Sequence, residues 1–340
     1  MSASLRKFLI TRLLLTIPMV LILVTVVFFV LRVLPGDPIR SQLGPKVSEE
    51  QANAIRERLG LNRPLPVQYL DFIWKTVRLD FGTALTSGER PIRDELAERL
   101  PATMELTVPA MLITAVAGVL SGAYAAKNRG TVQDYAIRAG SILVYAVPVF
   151  FMGLVFQIIF SVRLAWLPLS GRMDTLLLTR FGPRTGFYVV DALLARNWPA
   201  LGSALAHLVL PSVTLGLALT GVFVRLTRAN MIEMLQQDFI TAGRARGLPE
   251  RRLTYRHALR NTFIPILTMI GLQFAILLAG AVLTETTFSW PGMGRYLVDR
   301  IALRDYTAVQ AVITVFALFV ALISLLMDVV NAFVDPRIRY

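Results

Sequence analysis

Residues 13–31 read LLLTIPMVLILVTVVFFVL, nineteen positions without one Asp, Glu, Lys, Arg or His. A hydrocarbon core about 30 Å thick needs roughly 20 mostly apolar residues as helix, so this stretch is long enough to cross a bilayer. Five more segments obey the same rule, at 106–126, 139–162, 208–224, 261–284 and 306–327. Lipid offers no water to backbone N–H and C=O groups, so each segment must satisfy its own, and only a helix does that. The chain therefore reads as an all-α polytopic membrane protein with six transmembrane helices. The fourth, with 17 residues, gains length by extending upstream past His207.

Composition supports this. Of 340 residues, 55% are hydrophobic and 17% charged, where a soluble domain carries about a quarter charged. Disorder and an ordinary soluble globule are both excluded. A net charge of +13 would suggest nucleic acid in a soluble chain. In a membrane chain it is a matter of topology, and no nucleic-acid partner is expected. With the N-terminus inside, the inner segments 1–12, 127–138, 225–260 and 335–340 carry +3, +2, +5 and +1. The outer segments 33–100, 163–207 and 285–305 carry 0, +3 and 0. The positive-inside rule then puts both termini in the cytoplasm. Residues 13–31 are too long for the apolar core of a cleaved leader, and no small-residue cleavage site follows. They are expected to stay as an anchor, stopped by LPGDP at 34–38.

Three units follow along the chain. Residues 1–33 are the tail and first span, 34–101 an extracytoplasmic module, and 102–340 the remaining five spans with an inner loop at 225–262. In the module, Ser48 reads as an N-cap with Gln51 three residues on, and Gly60 as the stop of that helix. A second helix is expected over 67–79, with Tyr69, Phe72, Ile73 and Thr76 on one side, and a third over 91–100. The module is either a lid on the bundle or a docking surface for an external partner. The second outer loop is turn-rich, with Ser170-Gly171-Arg172 and Gly182-Pro183. In the third, Phe288 and Trp290 beside Pro291 and Gly292 suit the headgroup level.

The inner loop between spans four and five carries eight arginines against Glu233, Asp238 and Glu250. Residues 228–246 read as one helix stopped by Gly247, and a new helix begins near Pro249-Glu250 and enters span five. A basic surface helix on anionic lipid would account for the charge. Thr241-Ala242-Gly243 adds something lipid does not need: small side chains that let another protein surface come close.

At this loop the chain resembles the permeases of binding-protein-dependent ABC importers. Their cytoplasmic signature is Glu-Ala-Ala, three residues, Gly, nine residues, Ile-x-Leu-Pro. Here Ala242, Gly247 and Leu259 keep the pattern, while Thr241, Gly243, His257 and Arg260 depart from it. TAGRARG at 241–247 and HALRN at 257–261 are similar to the dipeptide/oligopeptide/nickel branch. LPGDP at 34–38, LGLNRP at 59–64, LTETTFSWPGMG at 283–294, RDY at 304–306 and DPRIR at 335–339 extend the resemblance from end to end. The long second outer loop, with SGR at 170–172 and TGF at 185–187, looks most like the branch's dipeptide permeases with the B role.

The resemblance implies a type I importer fold in the inner membrane of a prokaryote. It implies a second homologous permease subunit, two cytoplasmic ATPase subunits that bind the ATP and Mg, and an extracytoplasmic substrate-binding protein. It implies that Asp238, Phe239, Thr241, Ala242, Gly243, Arg244, Ala245, Arg246 and Gly247 form a coupling helix seated on one ATPase. The cargo would be dipeptides or oligopeptides; similar permeases move nickel complexes, glutathione or haem.

Among individual residues, Glu105 is a candidate for the pathway or an end-of-helix charge, and Gln157 and Gln273 are candidates for polar glue between helices or for the pathway, because polar groups at membrane depth are costly unless used. Asp328 is expected to pair with Arg337, Arg339 or a partner chain. Pro148 and Pro211 are expected to bend their helices. Metal chemistry finds no purchase: there is no cysteine, and His207 and His257 lie on opposite sides. No P-loop, G-x-S-x-G or H-E-x-x-H occurs, so an enzyme or an ATP-binding chain is not expected and no cofactor is assigned to this chain. A stand-alone secondary transporter would want ionisable groups within its spans, and all six segments lack them.

Overall fold

The computed structural model describes residues 3–33, 49–58, 60–84 and 90–334. The LPGDP and DPRIR segments, Ser48 and Leu59 lie outside the described residues.

Fourteen helices are described. The first, α1 (Ala3–Val33), is followed by the outer-module helices α2 (Glu49–Arg58) and α3 (Leu65–Val77). Gly60 stops α2 at φ +70°, with Leu61 N–H donating to Arg56 O at 2.8 Å. The expected face of α3 packs on span one. Phe28 lies 5.4 Å from the Tyr69 ring and 5.6 Å from Phe72, and Thr25 shares a 2.7 Å hydrogen bond with the Tyr69 hydroxyl.

The third outer helix and span two are one element, α4 (Ile92–Lys127). Pro101 and Pro109 sit inside it without ending it. Span three is not a straight crossing. Helix α5 (Val132–Ala146) ends before Pro148, and α6 (Val149–Phe156) leaves at 99° to it, continuing as a π-helical turn over Gln157–Arg163. Proline lacks an N–H and disfavours the helical region for Val147 before it, whose ψ is 126°, so the break falls where the sequence puts it.

Short helices α7 (Thr175–Leu178) and α8 (Tyr188–Leu194) occupy the second outer loop, and α9 (Trp198–Leu235) is span four. The expected single helix over 228–246 is two. Helix α9 ends at Leu235, Gln237 is extended, and α10 (Asp238–Ala245) starts afresh. The reason is burial: Ile240 joins Ala123, Ala126, Met231, Leu253 and Ala258 in one apolar cluster, and a straight α9 would carry it into solvent. Then α11 (Glu250–Arg252) opens span five, runs through a π-helical turn at Leu253–Ala258, and continues as α12 (Leu259–Thr287). Helices α13 (Met293–Ala302) and α14 (Tyr306–Val334), the latter span six, complete the chain.

The tightest packing is between α4 and α9. A β-carbon on Gly216 would stand 2.7 Å from Ala110 O, and one on Gly122 would stand 2.8 Å from both Val224 O and Thr227 Cβ. Glycine there lets two backbones meet, the usual device where lipid removes the hydrophobic drive between helices. Thr114 Oγ1 adds an interhelical bond to Gly216 O at 2.7 Å. Leu277, Leu278 and Ala281 of α12 close the core against this pair.

Candidate functional site

On the side that charge assigns to the cytoplasm, α10 is short, capped and two-faced. Gln237 stands at its N-cap in extended conformation. At its C-terminus Gly247 adopts φ +76°. Its N–H bonds Arg244 O at 2.9 Å, while Leu248 N–H reaches Gly243 O at 3.1 Å. That paired closure is a Schellman stop, and a residue with a β-carbon is strained there.

Ile240 and Gly243 face inward, three residues apart on one side of the helix. Asp238, Phe239, Thr241, Ala242, Ala245, Arg246 and Gly247 are exposed. Phe239 is 42% exposed, a large apolar side chain presented outward with small Ala242 one turn on. Arg244 Nε lies 2.6 Å from Glu250 Oε1, fastening α10 to α11. That hydrogen bond raises the guanidinium above its ordinary range and lowers the Glu250 carboxyl below its own. Of the nine residues expected of a coupling helix, Gly243 is turned inward and the other eight are exposed; Gly243 forms the anchor together with Ile240. Ile240 belongs to that anchor, though sequence reasoning passed over it.

The small residue at 243 has an internal use that sequence reasoning missed. Its missing β-carbon makes room for Leu253, whose Cδ2 would lie 2.6 Å away. Helix α10 therefore bears directly on the π-helical turn at the base of span five.

On the outer side, α4 works as a spine with three buried attachments. Glu95 pairs with Arg300 at 2.9 Å, and Arg300 also faces Asp305 at 3.9 Å. Asp305 in turn caps α14, accepting from Ala308 N–H at 3.1 Å. Thr103 donates to Glu285 Oε1 at 2.6 Å and accepts from Met293 N–H at 2.8 Å. Glu105 Oε2 accepts from Arg172 Nε at 2.8 Å, and its other oxygen accepts from Val189 N–H at 2.7 Å. Arg172 also stacks 3.8 Å over the Tyr188 ring. Glu105 is thus fully engaged within the chain.

Gln157 Nε2 donates to Leu169 O at 2.8 Å and to Thr287 O at 3.3 Å, tying α6 to the second outer loop and to span five. Gln273 is buried on α12. Asp328 pairs with Arg12 at 3.4 Å; the arginines first assigned to it lie outside the described residues. Phe288 and Trp290 are each 1% exposed, so they are core side chains rather than headgroup anchors. Trp290 Nε1 donates to Ala102 O at 2.8 Å, a bond that a buried indole N–H needs. Among the described residues no cluster of three or more His, Asp or Glu could hold a metal.

A polytopic helical bundle with a capped amphipathic helix on one side and a pinned, loop-rich surface on the other has the form of a transport permease. Residues 118–340 match the family described as the binding-protein-dependent transport system inner membrane component, and residues 5–107 match its N-terminal companion. The chain belongs to this family. It is 41% identical to the di/tripeptide transport system permease protein DppB of Pseudomonas aeruginosa, over 98% of this chain and 99% of that one. It is 38% identical to the dipeptide transport system permease protein DppB of Escherichia coli, and 36% identical to that organism's glutathione transport system permease protein GsiC. Both of those likenesses again cover 98% and 99% of the two chains.

Proposed function

We propose that this chain is one permease subunit of an ATP-driven peptide importer in a bacterial inner membrane. It forms half of the translocation pathway with a second, similar permease. Two ATPase subunits beneath them bind ATP and Mg, and an external binding protein delivers di- or oligopeptide. The observation that carries this reading is the outward face of α10. Asp238, Phe239, Thr241, Ala242, Ala245 and Arg246 are exposed on a stiff helix whose other face is locked to the base of span five. A nucleotide shifts a two-state membrane assembly only through contacts that differ between the states. A knob that moves with an ATPase cleft and bears on a spanning helix supplies such contacts.

The peptide class comes from the dipeptide permeases, the two relatives at 38–41% identity. Glutathione, itself a peptide, is the second candidate through the relative at 36%. Both readings share one mechanism and differ in the binding protein.

The test is co-purification of the ATPase subunits with wild-type chain, with Ala242→Asp and with Phe239→Asp, alongside uptake of labelled dipeptide. Both substituted residues are exposed, so the variants are expected to insert normally. Association and uptake should fall at least tenfold in each. Wild-type association and uptake in both variants would sink the assignment.

A further inference from the structure

Helix α3 has three sides rather than two. At about 100° per residue, Phe72, Thr76, Tyr69 and Ile73 share one arc, which Tyr69 and Phe72 turn to span one. Gln68, Asp71, Lys75 and Arg78 share a second arc, which carries every charge between residues 65 and 78. Val67, Leu70, Trp74 and Val77 share a third. All four are exposed, Leu70 at 67% and Val77 at 72%. Each arc is about 80–100° wide and none overlaps another.

A helix on a soluble surface needs one side for its core and one for water. The third side calls for a third environment, and the depth of α3 supplies it. Both Tyr69 and Phe72 meet Phe28, the Tyr69 ring also stacks 6.2 Å from Phe29, and its hydroxyl bonds Thr25. These contacts fall within residues 25–29, so α3 meets span one at one level rather than running alongside it. Thr25 stands six residues before Leu31, the end of the uncharged stretch, which is about 9 Å into the hydrocarbon. Helix α3 therefore sits where headgroups give way to acyl chains. An interfacial helix sinks its apolar face by about 5–10 Å at that depth.

Composition selects the occupant. Membrane helices that pack on another protein favour Gly, Ala and Ser at the contact, and the third arc has none of them. Its branched aliphatics and Trp74 suit acyl chains. The Arg78 guanidinium lies 4.3 Å from the centre of the Trp74 ring, at the edge where the apolar arc turns into the charged one. A water-borne partner would find its polar contacts on that charged arc instead. Span one, which carries α3, is itself a rim element, with Ile22, Val26 and Val30 exposed.

We propose that α3 is an interfacial helix in the outer leaflet, with Val67, Leu70, Trp74 and Val77 seated among phospholipid acyl chains. The bilayer covers this side of the outer module, and the charged arc faces water. The depth is read from span one alone; only the choice of leaflet rests on the charge-based orientation.

The chain has no cysteine, so Leu70→Cys, Val77→Cys and Lys75→Cys can each carry one nitroxide label. The full chain, co-purified with partner permease and ATPases made free of cysteine, is reconstituted in vesicles of phosphatidylcholine and phosphatidylglycerol. Power saturation of the spin signal reads collisions with oxygen, which concentrates among acyl chains, and with chromium oxalate, which stays in water. The oxygen-to-chromium ratio at Leu70→Cys and Val77→Cys should exceed that at Lys75→Cys severalfold. Equal ratios at the three positions would put the apolar arc in water and overturn the proposal. Shielding of Leu70→Cys and Val77→Cys from both reagents would give the arc to a protein and overturn it too. In intact spheroplasts Lys75→Cys should react with a membrane-impermeant maleimide, and no reaction would overturn the choice of leaflet. Neither peptide nor nucleotide enters these readings, so a complex that passes them but imports no peptide counts against the transport assignment alone.

Discussion

A β-carbon on Gly243 would stand 2.6 Å from Cδ2 of Leu253, so α10 and the base of span five meet where an added methyl has to displace a buried leucine. Adding a methyl there forces the two elements apart, and overpacking of this kind costs about 1–3 kcal/mol. Gly243→Ala should keep ATPase association, because the outward face is untouched, but weaken the link between hydrolysis and uptake. The measurement is the number of peptides imported per ATP hydrolysed in proteoliposomes, expected to drop severalfold. Gly243→Ala with Leu253→Ala should recover part of it, since the second change vacates the space the first one fills.

Glu105 and Arg172 are each less than a tenth exposed and bonded to one another. Removing one partner leaves a buried charge uncompensated, a change that costs about 3–5 kcal/mol. Glu105→Ala and Arg172→Ala should each lower the thermal midpoint of the solubilised protein by several degrees. The pair Glu105→Met with Arg172→Met should sit closer to wild type than either single alanine. If Glu105 instead contacts cargo, uptake of peptide would fall in Glu105→Gln with the thermal midpoint unchanged, so the two measurements separate the roles.

Periodicity and apolar length made the spans legible, because lipid leaves helix as the one solution for such segments. Gly60 and Gly247 were legible as helix stops for the same local reason, the positive φ that glycine tolerates. The partners of the polar residues were not. Glu105 meets Arg172 67 positions away, and Thr103 meets Glu285 182 positions away, distances over which no sequence period carries information. The break between α9 and α10 was hidden for a related reason. Its cause is the burial of Ile240 against Ala123 and Leu253, which no local propensity records. Phe288 and Trp290 misled because an aromatic beside turn residues looks alike at a headgroup and in a core. The long-range bond from Trp290 to Ala102 decides between them.

Gly292 lies against the carboxylate of Glu285, close enough that a β-carbon would overlap both carboxylate oxygens. The carboxylate has little freedom to retreat, because it accepts from Thr103 Oγ1 at 2.6 Å and from Arg295 N–H at 2.9 Å. Gly292→Ala should therefore detach the turn that leads into α13. The expected outcome is faster proteolysis of the outer surface in intact spheroplasts and a reduced amount of chain in the membrane. Pro291→Ala, on the same turn, serves as the comparison, since it adds no atom that must be accommodated. Equal protease resistance and abundance of Gly292→Ala and wild type would contradict the fit.

Two ion pairs on the side that charge assigns to the cytoplasm offer a sharper contrast. Arg228 binds Asp134 through two bonds of 2.7 Å, and Asp134 also accepts from Gly130 N–H at 3.0 Å, with its side chain 2% exposed. Arg12 and Asp328 lie 3.4 Å apart with side chains 45% and 30% exposed. Exposed pairs are screened and contribute at most about 1 kcal/mol, whereas breaking a pair with one buried carboxylate leaves that charge stranded. Arg228→Ala should lower the thermal midpoint well beyond Arg12→Ala, which should stay within a degree or two of wild type. Salt should shift only the weaker pair: raising it from 50 to 500 mM, on the order of a threefold shortening of the Debye length, should abolish the small Arg12 effect and leave the Arg228 effect standing. Matching midpoints for the two alanine variants would mean that Asp134 is not the anchor of the first inner loop.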